Sequence, residues 1–369
     1  LKPIKENLKG IPLEELEAKL KLQGHPAYRA SQLFLWINQY KESDFSKMTN
    51  LSKKFREDLT EHFCLPKISI HSEQKSNDGT VKYLVELEDK QKVESVFIPT
   101  EGRSTLCVST QVGCKMACSF CATGQQGFIR NLKSWEIVDQ LYSLPFPNKI
   151  SNIVLMGMGE PFDNWDEMVR ALKIFQHPMG QQIGKRHITV STVGITSRIQ
   201  DFFDLNLGKL AISLHGTTDE QRSQIMPVNK KYPLEELLAL CRSATIKGRN
   251  KITFEYLLIK DFNDSKEDAH RLVKLMRDIP NKINLLAYNE NKYVDFKRPS
   301  EETILRFQNI LLNANLTATY RISRGRDIAA ACGQLKTDSM TESKKRATIA
   351  ASATPQAPYS SSPTPTVNY

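Results

Sequence analysis

No second cysteine pair accompanies the three cysteines that crowd together in the first third of this chain, and no histidine lies within about twenty residues of them. That disfavours a tetrahedral zinc site, which takes four ligands and usually arrives as two C-x2–4-C pairs or with paired histidines. Nor is there an apolar run near the ~20 residues that cross a bilayer. The opening Leu-Lys-Pro-Ile-Lys-Glu-Asn lacks the apolar stretch of a signal peptide. Seven cysteines, an odd number without framework spacing, speak against a secreted disulfide scaffold and fit a reducing compartment. The expectation is a cytoplasmic protein without membrane association.

What the chain does have is Gly-Cys114-Lys-Met-Ala-Cys118-Ser-Phe-Cys121-Ala-Thr-Gly. A [4Fe–4S] cluster ordinarily takes four thiolates. Three at C-x3-C-x2-C spacing can hold three corners and leave one iron open to a chelating ligand. An amino acid's amine and carboxylate make such a chelate.

At 369 residues, 40% hydrophobic and 25% charged, the composition is that of a globular protein of one large domain with an appendage, or of two domains. The formal net charge is +10, and residues 1–335 carry +8 of it. That balance suits a polyanionic partner such as RNA without requiring one. Residues 1–66 show helical periodicity in Pro12–Leu20, Arg29–Ile37 and Lys53–Phe63 and predict a small helical accessory domain; the Lys and Arg on its polar faces fit contact with RNA and a plain solvated face equally well. Alternation takes over from Ile68 to Pro99, with Asn77-Asp78-Gly79 as a turn, so residues 67–103 are predicted as a β extension.

From residue 104 to 336, short β-branched runs alternate with helical stretches. Strands are expected at Thr105–Ser109, Asn152–Met158, His187–Thr192, Leu210–Leu214, Ile252–Leu258, Ile283–Tyr288 and Thr317–Ile322, with helices such as Ser134–Leu144, Trp165–Phe175, Pro233–Ile246 and Lys266–Arg277 between them. This predicts an α/β fold with a parallel sheet, short of a closed eight-stranded barrel. Beyond Thr337 the Ser-, Thr- and Pro-rich segment 337–369 reads as a disordered tail.

Polar motifs gather where the strands end, the rim at which parallel α/β folds bind ligands. Gly157-Met-Gly159-Glu160-Pro161 offers bare backbone and one carboxylate, suited to an ammonium group. Ser191, Ser213 and His215 can bond ribose hydroxyls or a carboxylate. Phe120 can shield a cluster or pack on a nucleobase. Cys107 precedes the run on the first barrel strand. Cys332 sits far away in Ala-Ala-Ala-Cys-Gly, a loop that suits a thiol which must move and react. Cys64 and Cys241 lie on apolar helical faces and read as structural thiols.

Taken in order, Cys114–Cys121, Gly157–Pro161, Ser191-Thr-Val-Gly, Ser213-Leu-His and Arg324-Gly-Arg-Asp-Ile-Ala-Ala-Ala-Cys332-Gly-Gln-Leu resemble the RlmN/Cfr group of radical S-adenosylmethionine RNA methyltransferases over residues 5–335. Gln125–Leu132 and Glu94–Pro99 look like the RlmN branch. The resemblance implies a partial (βα)6-type TIM barrel holding a [4Fe–4S] cluster on Cys114, Cys118 and Cys121. It implies S-adenosylmethionine, two molecules per turnover, at Gly159, Glu160, Ser191, Ser213, Leu214, His215 and Asn289.

The implied reaction is methylation of C2 of an adenosine in 23S rRNA and, in some bacteria, beside the tRNA anticodon. One cofactor molecule would methylate Cys332. A second, split reductively, would yield a 5′-deoxyadenosyl radical that activates the S-methyl group for addition to the electron-poor C2. Cys107 would then resolve the adduct through a transient disulfide with Cys332, and Glu94 would accept the ring proton. The implied partners are 23S rRNA, tRNA and an electron donor such as flavodoxin, with the enzyme a monomer. Glu290-Asn-Lys-Tyr-Val departs from the proline- and glycine-rich loop usual after the position of Asn289. The competing readings are a Cfr-like C8 methyltransferase, an activase of the same superfamily, and a non-catalytic zinc-dependent RNA-binding protein.

Overall fold

A computed structural model of the chain describes residues 5–146, 148–245, 251–290 and 294–337; the expected tail lies outside the described residues from Asp338 on, as do Asn291, Lys292 and Tyr293 of the divergent loop. Residues 5–66 form α1 (Leu13–Leu22), α2 (Ala27–Asn38) and α3 (Lys53–His62), with the short strands β1 (Glu6–Asn7) and β2 (Phe63–Cys64) paired in parallel. Helix α2 buries Ala30, Leu33, Phe34 and Ile37, the i, i+3, i+4, i+7 face that its sequence predicts. Ser52 caps α3 by accepting a hydrogen bond from the Phe55 N–H.

Three antiparallel strands follow: β3 (Ser69–Lys75), β4 (Val81–Glu86) and β5 (Lys92–Thr100). The Asn77-Asp78-Gly79 turn closes the first hairpin. Strand β4 alternates buried and half-buried residues, whereas β3 is exposed throughout and polar apart from Ile70, as suits an edge.

Next come β6 (Arg103–Cys107), β7 (Gln111–Gly113), α4 (Ala122–Gln126), β8 (Phe128–Asn131) and α5 (Ser134–Tyr142). The barrel proper continues with β9 (Asn152–Leu155), α6 (Trp165–Gln176), β10 (Ile188–Thr192), α7 (Ile199–Leu205), β11 (Lys209–Ser213), α8 (Asp219–Ile225) and α9 (Leu234–Ser243). It ends with β12 (Ile252–Leu258), α10 (Lys266–Met276), β13 (Asn281–Ala287), α11 (Glu301–Asn313) and β14 (Ala318–Arg321).

One ten-stranded sheet runs β14-β13-β12-β11-β10-β9-β6-β5-β4-β3. Within this sheet every pairing from β6 to β14 is parallel and the strands follow in chain order, while β7 and β8, inserted between β6 and β9, form a separate antiparallel pair. Without a reversal of strand order, right-handed crossovers put all the helices on one face and the carboxyl ends of the strands on one rim. Among the described residues β14 and β3 are not paired, so the barrel is open, as expected of a partial (βα)6 fold. Strand β12 is buried at every position, which explains its largely apolar sequence, broken only by Thr253 and Glu255. Lys9, Asp139 and the Ile68 N–H join in a buried cluster that ties the N-terminal segment to α5.

Candidate active site at the rim of the parallel strands

The cysteine run leaves β7 as a loop drawn tight by main-chain bonds. Cys114 N–H donates to the Gly127 carbonyl at 2.8 Å, Cys121 N–H to Cys118 O at 3.2 Å and Ser119 N–H to Ile225 O at 2.9 Å. Gly113 has φ +75°, and a Cβ there would fall 1.9 Å from the Gly127 oxygen, so only glycine lets β7 and β8 close behind the loop. All three thiols line one cavity of ≈ 150 Å³. Burial pushes the Cys114 thiol up to about 12 and holds those of Cys118 and Cys121 above their ordinary value. Thiols held in this way ionise when a metal takes the proton's place. A cube spreads its thiolates over separate corners, and three cysteines at this spacing around one cavity, without a fourth ligand in the run, fit such a cluster.

Gly159, Glu160, Ser191, Ser213 and His215 line the same cavity. Gly159 takes φ +104° against Gln111, where a Cβ would meet the Gln111 Cβ at 2.6 Å. Glu160 accepts hydrogen bonds from Phe162 N–H at 3.0 Å and Val193 N–H at 2.9 Å. Burial nevertheless raises its carboxyl to about 7. A cationic ligand would repair that desolvation, so the site fits the ammonium group of an amino-acid cofactor.

His215 sits at φ +54°, uncommon for a residue with a side chain, and its carbonyl accepts from Asn263 Nδ2 at 2.8 Å. Burial, then the Arg222 guanidinium, lowers its imidazole to about 3. The ring is therefore neutral. Its Nδ1 accepts the Leu257 N–H at 3.1 Å, which leaves the proton on Nε2. Phe120 packs edge-on against this ring, 5.0 Å between centroids.

The remaining expected residues stand elsewhere. Leu214 is buried behind the wall, its N–H bonded to Glu255 O at 3.0 Å. Asn289 is also off this cavity's lining. Its Nδ2 donates to Ser323 Oγ at 3.0 Å, and its buried Oδ1 lacks a hydrogen-bond partner. Glu94 pairs with Lys82 at 3.0 Å and accepts the Lys336 N–H at 2.8 Å, so it touches the segment that carries Cys332.

Cys332 lines the first cavity and also a second, smaller one of ≈ 50 Å³, whose wall contains Cys107. Cys332 is exposed within this wall and Cys107 is buried; both are free thiols. Burial pushes the Cys107 thiol up to about 12, and the Arg321 guanidinium works against this.

Two residues escaped the sequence reading. Glu255, the only carboxyl in the apolar run Ile252–Leu258, lines the first cavity. Its Oε2 accepts Asn284 Nδ2 at 2.7 Å, and burial raises it to about 7. A lone carboxyl in a strand otherwise buried on both faces was a legible signal. Arg222, fully buried on α8, gave none, because a seven-residue helix shows no clear period.

Comparison with known proteins places this geometry. A model of the radical SAM superfamily matches residues 108–273, and one of the ribosomal RNA large subunit methyltransferase N-terminal domain matches residues 6–65. The chain is 47% identical over 330 residues to a dual-specificity RNA methyltransferase RlmN of Geobacter sulfurreducens, covering 89% of this chain and 92% of that protein. It is 46% identical to a probable dual-specificity RNA methyltransferase RlmN of Caldanaerobacter subterraneus, covering 89% and 97%. The crystal structure of a radical SAM methyltransferase from Sphaerobacter thermophilus superposes with TM-score 0.84 at 40% identity, covering 90% of this chain and 99% of that one.

Proposed function

The chain belongs to the RlmN family of radical S-adenosylmethionine RNA methyltransferases, and from that premise we propose that it methylates C2 of an adenosine in 23S rRNA and in tRNA, with Cys332 as the methyl carrier. The observation that carries this reading is the position of Cys332 in a wall shared by two cavities, one lined by Cys114, Cys118 and Cys121, the other by Cys107.

Cys114, Cys118 and Cys121 hold the [4Fe–4S] cluster, and Glu160 with the backbone of Gly159 receives the amino-acid end of S-adenosylmethionine. Bound together, these two groups supply a carbon radical on one-electron reduction. Ser191, Ser213 and the Nε2–H of His215 orient the nucleoside end, and Phe120 fixes the imidazole that does so. Cys332 bears the methyl group as a thioether and presents it to the RNA base. Cys107, as thiolate, would attack the Cys332 sulfur. The Cys332 S–CH2 bond to the base would break as the S–S bond forms, and the released carbon would keep the electron pair and take a proton to become the methyl group, which is why a second thiol borders the smaller cavity. Glu94 accepts the ring proton; its bond to the Lys336 N–H, which links β5 to the segment that carries Cys332, supports this role. Asn289, with a buried oxygen lacking a partner, is left to complete the cofactor site.

Residues 1–66 act as the accessory RNA-contacting domain, and residues 67–103 extend the barrel sheet. A flavodoxin-type carrier delivers the electron, and the enzyme works as a cytoplasmic monomer; no helix among the described residues is long and apolar enough to cross a membrane. The C8 alternative is not favoured, since the relatives carry the RlmN name. The test is mass spectrometry of both partners in the reaction. The Cys332 peptide from cluster-loaded enzyme should carry S-methylcysteine, and the RNA should carry 2-methyladenosine. Unmodified Cys332, or methyl at C8, would sink the proposal.

A further inference from the structure

Arg222 is buried completely, and its hydrogen bonds run only to neutral oxygens. Nη1 donates to Asn229 Oδ1 at 2.6 Å and to Tyr232 O at 3.5 Å, and Nη2 donates to Val193 O. Nε is sealed from solvent and has no acceptor. Asp219, a carboxylate whose field it feels, uses Oδ1 on Asn229 Nδ2 at 2.7 Å and Leu234 N–H at 2.8 Å rather than on the guanidinium. Taking a cation out of water without a direct ion pair is unfavourable, and Asp219 offers Arg222 only a field across Asn229. Such a group persists where a negative charge compensates it.

The surroundings point to where that charge arises. Helix α8 is bonded to the cysteine loop through Ser119 N–H to Ile225 O, 2.9 Å. Ser119 Oγ, inside the loop, is a second sealed group without a partner. Cys118 and Arg222 each feel the other's charge. Arg222 is absent from the lining of both Cys332 cavities but bonds the Val193 carbonyl, and Val193 lines the first of them, so the guanidinium lies within the wall of that cavity.

We propose that Arg222 is the fixed counter-ion of the iron–sulfur cluster, a positioning charge that raises the cluster's reduction potential into the range of a biological one-electron donor. The inference rests on the cluster assignment above. A thiolate-held cube is net negative, and each added electron deepens that charge. A cation fixed in a low-dielectric wall stabilises the reduced form more than the oxidised one. The rival role is a brace: Arg222 holds Val193 O, and the Val193 N–H holds Glu160. A brace would alter cofactor binding and stability but would not set a potential by its charge.

The test is a redox titration, followed by electron paramagnetic resonance, of the full-length protein reconstituted anaerobically, with iron quantified in each sample. In Arg222→Gln the ratio of reduced to oxidised cluster at a fixed ambient potential should fall about tenfold, ~59 mV for a one-electron couple. Arg222→Lys keeps the charge but cannot span the same carbonyls, and its ratio should stay within about threefold of wild type. An unmoved ratio in iron-loaded Arg222→Gln overturns the proposal, as does a fall in Arg222→Lys as deep as in Gln. If the Gln variant holds no iron, the Lys variant decides alone: a wild-type ratio supports the proposal and a tenfold loss overturns it. Iron-free wild-type protein would remove the cluster reading itself, a failure distinct from either variant result.

Discussion

The two loops that meet at the rim are held in opposite ways. The cysteine loop, Cys114–Cys121, is fixed by main-chain bonds to Gly127 and Ile225 and by a glycine that no other residue can replace without collision. The segment Gly325–Thr337, which carries Cys332, is held largely by side chains. Asp78 accepts the Gly325 N–H at 2.9 Å, Asp327 accepts Ser76 Oγ at 2.6 Å, and Lys82 reaches Ala329 O at 3.3 Å. On the other flank Glu94 accepts the Lys336 N–H, while Thr123 and Gln126 bond Leu335 O and Thr337. One main-chain bond, Ala122 N–H to Gly333 O at 2.7 Å, joins the two loops. Side-chain clasps each contribute little and can open one at a time. The contrast suits the proposed roles of the two loops, a radical source that must not move and a methyl carrier that must.

The largest effect should come from the rigid side. Cys118→Ala removes a buried corner of the cluster, and methyltransfer should fall below detection with iron lost in parallel. Full iron content in that variant would break the assignment of the fixed loop. Gly113→Ala places a Cβ against the Gly127 carbonyl in a left-handed backbone region. It should destabilise the fold by roughly 3 kcal/mol or more, read by chemical denaturation. A loss below about 1 kcal/mol would show that the loop yields more than its main-chain bonds imply.

The rigid wall also has a pH dependence. Glu160 and Glu255 are both raised to about 7 from 4.5 by burial. A folded value above the unfolded one means that the folded protein binds more protons. Stability is then greatest below about 4.5, falls as pH rises through about 7 and levels off above it. The combined effect is on the order of a few kcal/mol, and Glu160→Gln with Glu255→Gln should flatten it in denaturation midpoints measured without cofactor. An unchanged slope in the double variant would show that these carboxyls do not shape the profile.

The same contrast marks what was legible in the sequence. Everything fixed by local backbone was readable: the C-x3-C-x2-C run, the bare Gly157–Glu160 strand end, the Asn77–Gly79 turn, and the β-branched runs of the seven parallel strands. Relations made by folding were not. Cys332 and Cys107 could be named as unusual thiols, but their shared cavity depends on β6 lying across the rim from a segment distant in the chain. Glu94 could be placed on a strand, but its engagement with Lys82 and Lys336 arises because β4, β5 and the Cys332 segment converge. Arg222 was illegible for a sharper reason. On paper it is one more arginine in a polar helix, and only three-dimensional burial without a carboxylate makes it conspicuous.

The smallest expected effect tests the mobile side most directly. Asp327→Ala opens the clasp from Ser76 Oγ and Asn77 N–H, both partly exposed contacts. Global stability should barely change, because the carboxylate it removes is fully exposed. Hydrogen exchange at residues 325–337 should speed up severalfold while exchange at the cysteine loop stays unchanged, because local opening follows the contacts that close each segment. If both segments loosened together, the two loops would form one cooperative unit through Ala122 and Gly333, and the division into fixed source and movable carrier would fail. If neither loosened, the backbone of the Cys332 segment, rather than its side-chain clasps, would be what holds the methyl carrier in place.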